Sequence, residues 1–286
     1  MILVTGASGQ IGSAVLQNLA GAPGVRALVR EPTDLGGVDV AVGTFDDERS
    51  LAAALAGVET VFLTGRDNPE QVEQHARVLG VARAAGVRHV VKLSALGARP
   101  ASPVALMRWH AAIEERLRES PFAWTFLRPH LFMQNLLRLA GDVAEQSRIA
   151  APMGDGRYPL VDTRDIGAAA AAVMRDPGPH AGRAYALTGP SALSYGDVAR
   201  AIGDLVGRPV EYEARPPAEF RASLLEAGIP PWRADDLAAI ASAYAEDENV
   251  PSDDLAELLG RPAASIERFL SDHRERYLAG LSRSHL

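Results

Sequence analysis

Seven residues near the start of the chain, Gly6-Ala7-Ser8-Gly9-Gln10-Ile11-Gly12, constrain its fold more than any other stretch. Before them, Ile2-Leu3-Val4 is a compact apolar run closed by Thr5, which reads as a buried strand. After them, Ile11, Val15 and Leu19 recur at helical spacing, with Ala14 beside them. The glycines therefore lie between a strand and a helix. A helix amino terminus offers free N–H donors and the positive end of its dipole. Glycine lets the backbone turn sharply there and lets a pyrophosphate come close. The segment predicts a dinucleotide site at Gly6, Ser8, Gly9, Gln10, Ile11 and Gly12.

The next strand, Val25–Val29, closes on Arg30. Sites for NAD commonly place an acidic residue roughly 20 residues beyond the glycines, to bind the ribose 2′-hydroxyl. A guanidinium at this point suits a 2′-phosphate instead, so Arg30 favours NADP(H) over NAD(H). The competing reading makes Arg30 a solvated loop residue, with Glu31 weakening the preference.

Strand and helix patterns keep alternating. Strands are expected over 38–44, 60–63, 89–93 and 122–127, with helices over 50–56, 70–85 and 105–119. Such alternation builds parallel βαβ units, hence an α/β, doubly wound Rossmann sheet. Ligands of such sheets lie outside the carboxyl ends of the strands. That rule adds Thr44, Phe45, Thr64, Gly65, Ser94 and Pro129 to the rim. Past Pro129 the pattern loosens. A helix is expected over 131–140, a turn over 154–157, strands at 159–161 and 185–187, and a helix over 165–174. Ser194-Tyr195-Gly196-Asp197 carries a capping-box signal, and the chain from Pro216 reads as mostly helical.

Composition narrows the function classes. The 286 residues are 47% hydrophobic and 23% charged, and they contain no cysteine. Disulfides and thiolate metal sites are thereby excluded. The seven histidines are dispersed, so no metal site is expected. Net charge is −7 and the basic residues form no run, which argues against nucleic acid. No apolar stretch is long enough to span a membrane. Met1 leads directly into the first strand with no basic segment, so a cytoplasmic location is expected. No Gly-x-Ser-x-Gly elbow supports hydrolase chemistry.

Several segments together resemble the NmrA-like group of atypical short-chain dehydrogenases/reductases, especially bacterial NAD(P)H-dependent quinone or azo-dye reductases. They are Val4 to Gly12, Leu28-Val29-Arg30, Asp46 with Ser50-Leu51, Gly57-Val58, Val91-Lys92-Leu93-Ser94, His110 to Leu117, Thr125 to Pro129 with Phe132 and Asn135, and Val161-Asp162 with Asp165. The resemblance implies a six- or seven-stranded parallel sheet with a smaller, mostly helical substrate lobe. Residues 1–128 with 159–175 would form the Rossmann core, and 129–158 with 176–286 the lobe.

The wider family uses a serine after the fifth strand and a Tyr-x-x-x-Lys pair on the next helix. Ser94 matches the serine, but Leu106 falls on the tyrosine position and His110 on the lysine position. Leucine transfers no proton. His110 reads either as a near-cofactor group, titrating near neutrality to give a proton or bonding the ribose, or as a partner of Glu114 one turn on. Ser94 either orients a carbonyl oxygen or bonds backbone at the strand end. Leu106, Trp109, Ile113 and Leu117 read as a core stripe. Phe132 and Met133 are candidate substrate contacts, and Trp232 and Tyr244 candidate lid residues; each also suits a core.

The leading expectation is an NADPH-dependent reductase that passes hydride to a small aromatic or quinonoid acceptor, an enone or a carbonyl without the usual tyrosine. Its partners would be that substrate and a second copy in a homodimer. Two other readings stand beside it: a non-catalytic NADP(H) sensor, and a natural-product ketoreductase or isomerase.

Overall fold

The computed structural model describes residues 1–244 and 249–281. Its centre is a seven-stranded sheet in the order β3-β2-β1-β4-β5-β6-β9, every neighbouring pair parallel. The strands are β1 Ile2–Val4, β2 Val25–Val29, β3 Asp39–Val42, β4 Thr60–Leu63, β5 His89–Leu93, β6 Ala123–Pro129 and β9 Arg183–Leu187. Each of β4 and β5 is buried along its whole length, as strands covered on both faces must be.

One face is covered by α1 (Gln10–Asn18), α6 (Thr163–Arg175) and α10 (Asp254–Leu259), the other by α2 (Glu48–Leu55), α3 (Gln71–Ala84) and α4 (Ala105–Arg118). The chain runs outward from β1 to β3 and then returns to the far side of β1 as β4. A crevice opens at such a reversal. Thr5 pins its two walls: its single hydroxyl proton is shared between the Thr64 carbonyl at 2.6 Å and the Phe62 carbonyl at 2.9 Å, and its oxygen accepts from the Thr64 amide at 2.9 Å.

The lobe has its own core, which includes Met133, Leu136, Ile149, Tyr158, Val198, Ile202 and Phe269. Two small ribbons frame it. β7 (Arg148–Ala151) pairs in parallel with β11 (Glu211–Ala214), and β8 (Arg157–Tyr158) pairs antiparallel with β10 (Leu193–Ser194). The capping box forms as expected at the start of α7 (Tyr195–Val206), with Ser194 and Asp197 bonding each other's backbone.

Three expectations change. Residues 183–187 belong to the sheet rather than the lobe, as its seventh strand, and Leu255 of α10 packs into the same core. A short edge strand reached after a long insertion has little pattern of its own. The expected helix over 131–140 is a 3₁₀ segment, Met133–Leu139, running into α5 (Ala140–Gln146). The expected strand at 159–161 reduces to a single bridge between Val161 and Phe132. No helix among the described residues is long and apolar enough to cross a membrane.

Two glycines set the spacing on the α1 face. A Cβ on Gly12 would lie 2.1 Å from the Gly6 carbonyl oxygen, and one on Gly167 would lie 2.5 Å from the Ala14 Cβ. Gly167→Val is expected to lower the unfolding free energy by about 1–3 kcal/mol through overpacking. Urea denaturation measures this, and an unchanged midpoint would contradict the α1–α6 contact.

Candidate active site

A cleft of about 960 Å³ runs along the carboxyl ends of the strands, from the glycine loop to the lobe. Gly6 turns the chain at φ +58°, and Thr64 leaves no room there for a Cβ, which would sit 2.9 Å from its Cγ2. Gly9 is the N-cap of α1 and supplies no side-chain acceptor. The first-turn amides therefore face an open cradle, which fits a dinucleotide pyrophosphate. Ser8, Gln10 and Ile11 line the same end.

Arg30 stands exposed at the end of β2 and also lines the cleft. It makes no hydrogen bond or ion pair with any described residue. Thr44 and Phe45 lie beside it, the latter held by Arg77, whose Nη1 donates to the Phe45 carbonyl at 2.9 Å. Thr64, Gly65 and Pro129 continue the wall.

The middle of the cleft has a polar floor that the sequence reading missed. Lys92, on β5, is fully buried and lines the cleft. Its Nζ donates to the Leu93 carbonyl and lies 3.1 Å from His110 Nδ1. Burial pushes the Lys92 ammonium down to about 7, against the pull of Glu114 and Asp67. Burial also holds His110 well below the usual imidazole range, with the Lys92 charge and His75 adding to it. His75 is depressed in the same way, by burial and then by Lys92, and neither of its nitrogens has a partner.

This arrangement keeps His110 in the cleft and changes two details of its readings. Its pKa is lowered well below the ordinary imidazole value, away from neutrality, and its ring pairs with Lys92 rather than Glu114. The buried Glu114 carboxylate is already shared by Ser94, Arg118 and Arg128. Ser94 Oγ donates to Glu114 Oε1 at 2.6 Å, and a hydroxyl has one proton. In this geometry Ser94 braces the floor and does not donate to an acceptor.

The lobe side of the cleft is mainly apolar, with His130, Asn135, Arg233 and Asp236 among its lining. Leu106, Phe132, Trp232, Leu237, Ile240 and Tyr244 line it. Trp232 meets Trp109 at 5.4 Å between ring centroids, and Tyr244 stacks on His130 at 4.0 Å. Met133 is only 2% exposed, belongs to the lobe core and does not line the cleft, so it is not a substrate contact. Of the expected core stripe, Ile113 and Leu117 are buried, while Leu106 faces the cleft.

Helix α9 (Pro231–Ala238) spans the cleft mouth through two contacts. Arg233 reaches Asp67 at 3.3 Å. Asp236 accepts from the Ala105 and Leu106 amides at 2.7 and 3.0 Å, capping α4, which has no cap of its own. No sequence signal connects Asp236 to a helix 130 residues earlier. Lys92 did leave one: a lysine inside the otherwise apolar run Val90-Val91-Lys92-Leu93 has to be buried at a cost.

The sequence model of the NmrA-like family matches residues 1–273. The chain belongs to that family. It is 38% identical over 286 residues to the NAD(P)H azoreductase of Xenophilus azovorans, covering 96% of this chain and 98% of that one. Among solved structures, the NADPH-dependent quinone oxidoreductase of Escherichia coli, complexed with NADPH, superposes with a TM-score of 0.87 at 31% identity, covering 96% of this chain and 99% of that one. The triphenylmethane reductase of a Citrobacter species, complexed with NADP(H), gives a TM-score of 0.83 at 29% identity, covering 94% and 99%. This NmrA-like chain thus shares its overall architecture with solved structures that hold NADPH or NADP(H).

The buried lysine has a thermodynamic signature. Its folded-state value lies below the ordinary one, so between about 7 and 10 the unfolded chain binds the extra proton. Its destabilising effect is full below pH 7 and fades as pH rises. Lys92→Met should therefore stabilise the protein more at pH 6 than at pH 9, by roughly 2–3 kcal/mol. Denaturant unfolding of both proteins at the two pH values measures this; an equal difference at both would contradict the buried ammonium.

Proposed function

We propose that this NAD(P)H-dependent reductase prefers NADPH and reduces a flat conjugated acceptor, a quinone or enone, lying between the cofactor and the apolar wall. One observation carries the reading: the glycine cradle, the unpartnered Arg30 and the wall of Leu106, Phe132, Trp232 and Tyr244 line a single cleft.

The first-turn amides of α1 hold the pyrophosphate, and Gly6, Gly9 and Gly12 keep its approach clear. Arg30 meets the 2′-phosphate with a charge-assisted pair. Thr44 and Phe45 flank the adenosine end, while Thr64, Gly65 and Pro129 border the path toward the floor. When bound, NADPH supplies the hydride. The apolar wall orders a planar acceptor and excludes water from it. His110, with its neutral ring in the floor, is the group placed to serve the acceptor oxygen; neither Leu106 nor Ser94 offers a proton. The family's named reductases support turnover over a sensing role.

Arg30→Ala should lower kcat/KM for NADPH by about 10–100-fold, the worth of one charged phosphate contact, and change NADH use far less. Steady-state kinetics with both cofactors decide it, and an unchanged NADPH/NADH ratio would remove Arg30 from the site. If NADPH-loaded enzyme oxidised its cofactor with no quinone, enone or ketone, the acceptor assignment would fall.

A further inference from the structure

We infer that Lys92 and His110 form a two-membered proton relay, in which His110 protonates the reduced acceptor from Nε2 while Lys92 refills the ring at Nδ1. The inference rests on the reductase reading and names the proton source that Leu106 cannot be.

The geometry fixes the direction. A lysine ammonium only donates, so at 3.1 Å from Lys92 Nζ the His110 Nδ1 is the acceptor and the ring carries its hydrogen on Nε2. Both groups are buried and both line the cleft. A neutral imidazole alone is too weak an acid to protonate an oxyanion, and an imidazolium is disfavoured here by burial and by the neighbouring ammonium. Nε2–H can leave only if Nδ1 gains a proton in the same event, and Lys92 is the group in contact with Nδ1.

The step balances. Hydride from the cofactor C4 adds to the acceptor, and the cofactor is oxidised to NADP⁺. The oxyanion that develops on the acceptor takes the Nε2 proton. Nδ1 takes one proton from the Lys92 ammonium, which becomes a neutral amine. His110 ends as its other neutral tautomer; after product leaves, solvent returns a proton to Nε2 as Nδ1–H gives its proton back to Lys92, which restores the ammonium and the Nε2–H ring. The charged and titratable groups facing Lys92 are Asp67 after β4, His75 on α3, and His110 and Glu114 on α4. The two carboxylates favour the ammonium, and burial opposes it.

Two acceptors separate this relay from a structural role. A quinone needs a proton on oxygen when hydride arrives. A cationic triarylmethane dye does not, because hydride addition to its central carbon gives a neutral product directly. Lys92→Met, which keeps an unbranched apolar stem one atom shorter and removes the ammonium, should lower the ratio of quinone to dye turnover by about 100-fold, in the range of general-acid catalysis. His110→Gln, whose amide bonds Lys92 but relays no proton, should do the same, so a folding failure in one variant leaves the other to decide. Quinone turnover by the unaltered enzyme should fall above pH 7, by about tenfold per unit, as the ammonium is lost; in Lys92→Met that limb should vanish.

A substrate-free readout stands beside the kinetics. In protein labelled with ¹⁵N-histidine, His110 should be the Nε2–H tautomer at pH 6. Its Nδ1 resonance should shift across the Lys92 titration, and that transition should be missing in Lys92→Met. An Nδ1–H tautomer, or a His110 signal indifferent to Lys92→Met, overturns the relay. Equal loss of quinone and dye turnover in both variants also overturns it. Failure of the unaltered enzyme to reduce either acceptor overturns the reductase reading instead, and the tautomer measurement still decides the relay.

Discussion

The helix that opens the cofactor cradle is pressed against its own preceding loop, so closely that a Cβ on Gly12 would lie 2.1 Å from the Gly6 carbonyl oxygen. Much else follows from that approach. It aims the first-turn amides of α1 into the crevice between β1 and β4. Gly167 lets α6 lie equally close behind α1, so the cradle is backed by packed helix rather than solvent. Thr5 then fixes the two crevice walls at the same level, with three hydrogen bonds at one hydroxyl. A site built on such short contacts has little freedom to move, which suits a group that must hold a flexible dinucleotide in one pose.

The chemistry is divided between two surfaces of opposite character. The floor, from β5, α3 and α4, concentrates buried titratable groups: Lys92, His75, His110 and Glu114. The lobe contributes a wall of large apolar and aromatic side chains, with His130, Asn135, Arg233 and Asp236 among them. Low polarity above the floor strengthens each interaction within it and raises the cost of leaving any charge unpaired. Glu114 is accordingly saturated by two arginines and a serine. Lys92 has a carbonyl and an imidazole instead of a direct carboxylate partner, so its charge is the least secure in the floor.

The sequence made the first half of this legible for a physical reason. The β1–α1 turn, Arg30 and the strand-end rim are local: each depends on residues adjacent in the chain and on periodicities of two and 3.6. What it hid depends on long-range closure. β9 is an edge strand whose membership is decided by β6, whose paired residues lie 58 positions earlier, Thr125 opposite Arg183. Met133 and Phe132 are apolar neighbours, and only the turn of the backbone sends one into the core and the other to the cleft. Glu114, one helical turn from His110, was the natural local partner, but Ser94 comes to it from just past β5 and Arg128 from β6. Lys92 could have been singled out by its cost alone, since a lysine in a central strand needs a reason.

The Asp236 carboxylate, in closing the first turn of α4, ties the substrate lobe to the helix that carries His110. Acceptor preference in such a scaffold would be reshaped most readily by exchanging the segment around Trp232 and Leu237, yet that segment cannot be traded freely. A replacement lacking the carboxylate would leave two backbone donors bare at the rim of the cleft. The segment that borders the cleft mouth is thus also a stopper for the α4 terminus, and the two duties rest on one short helix.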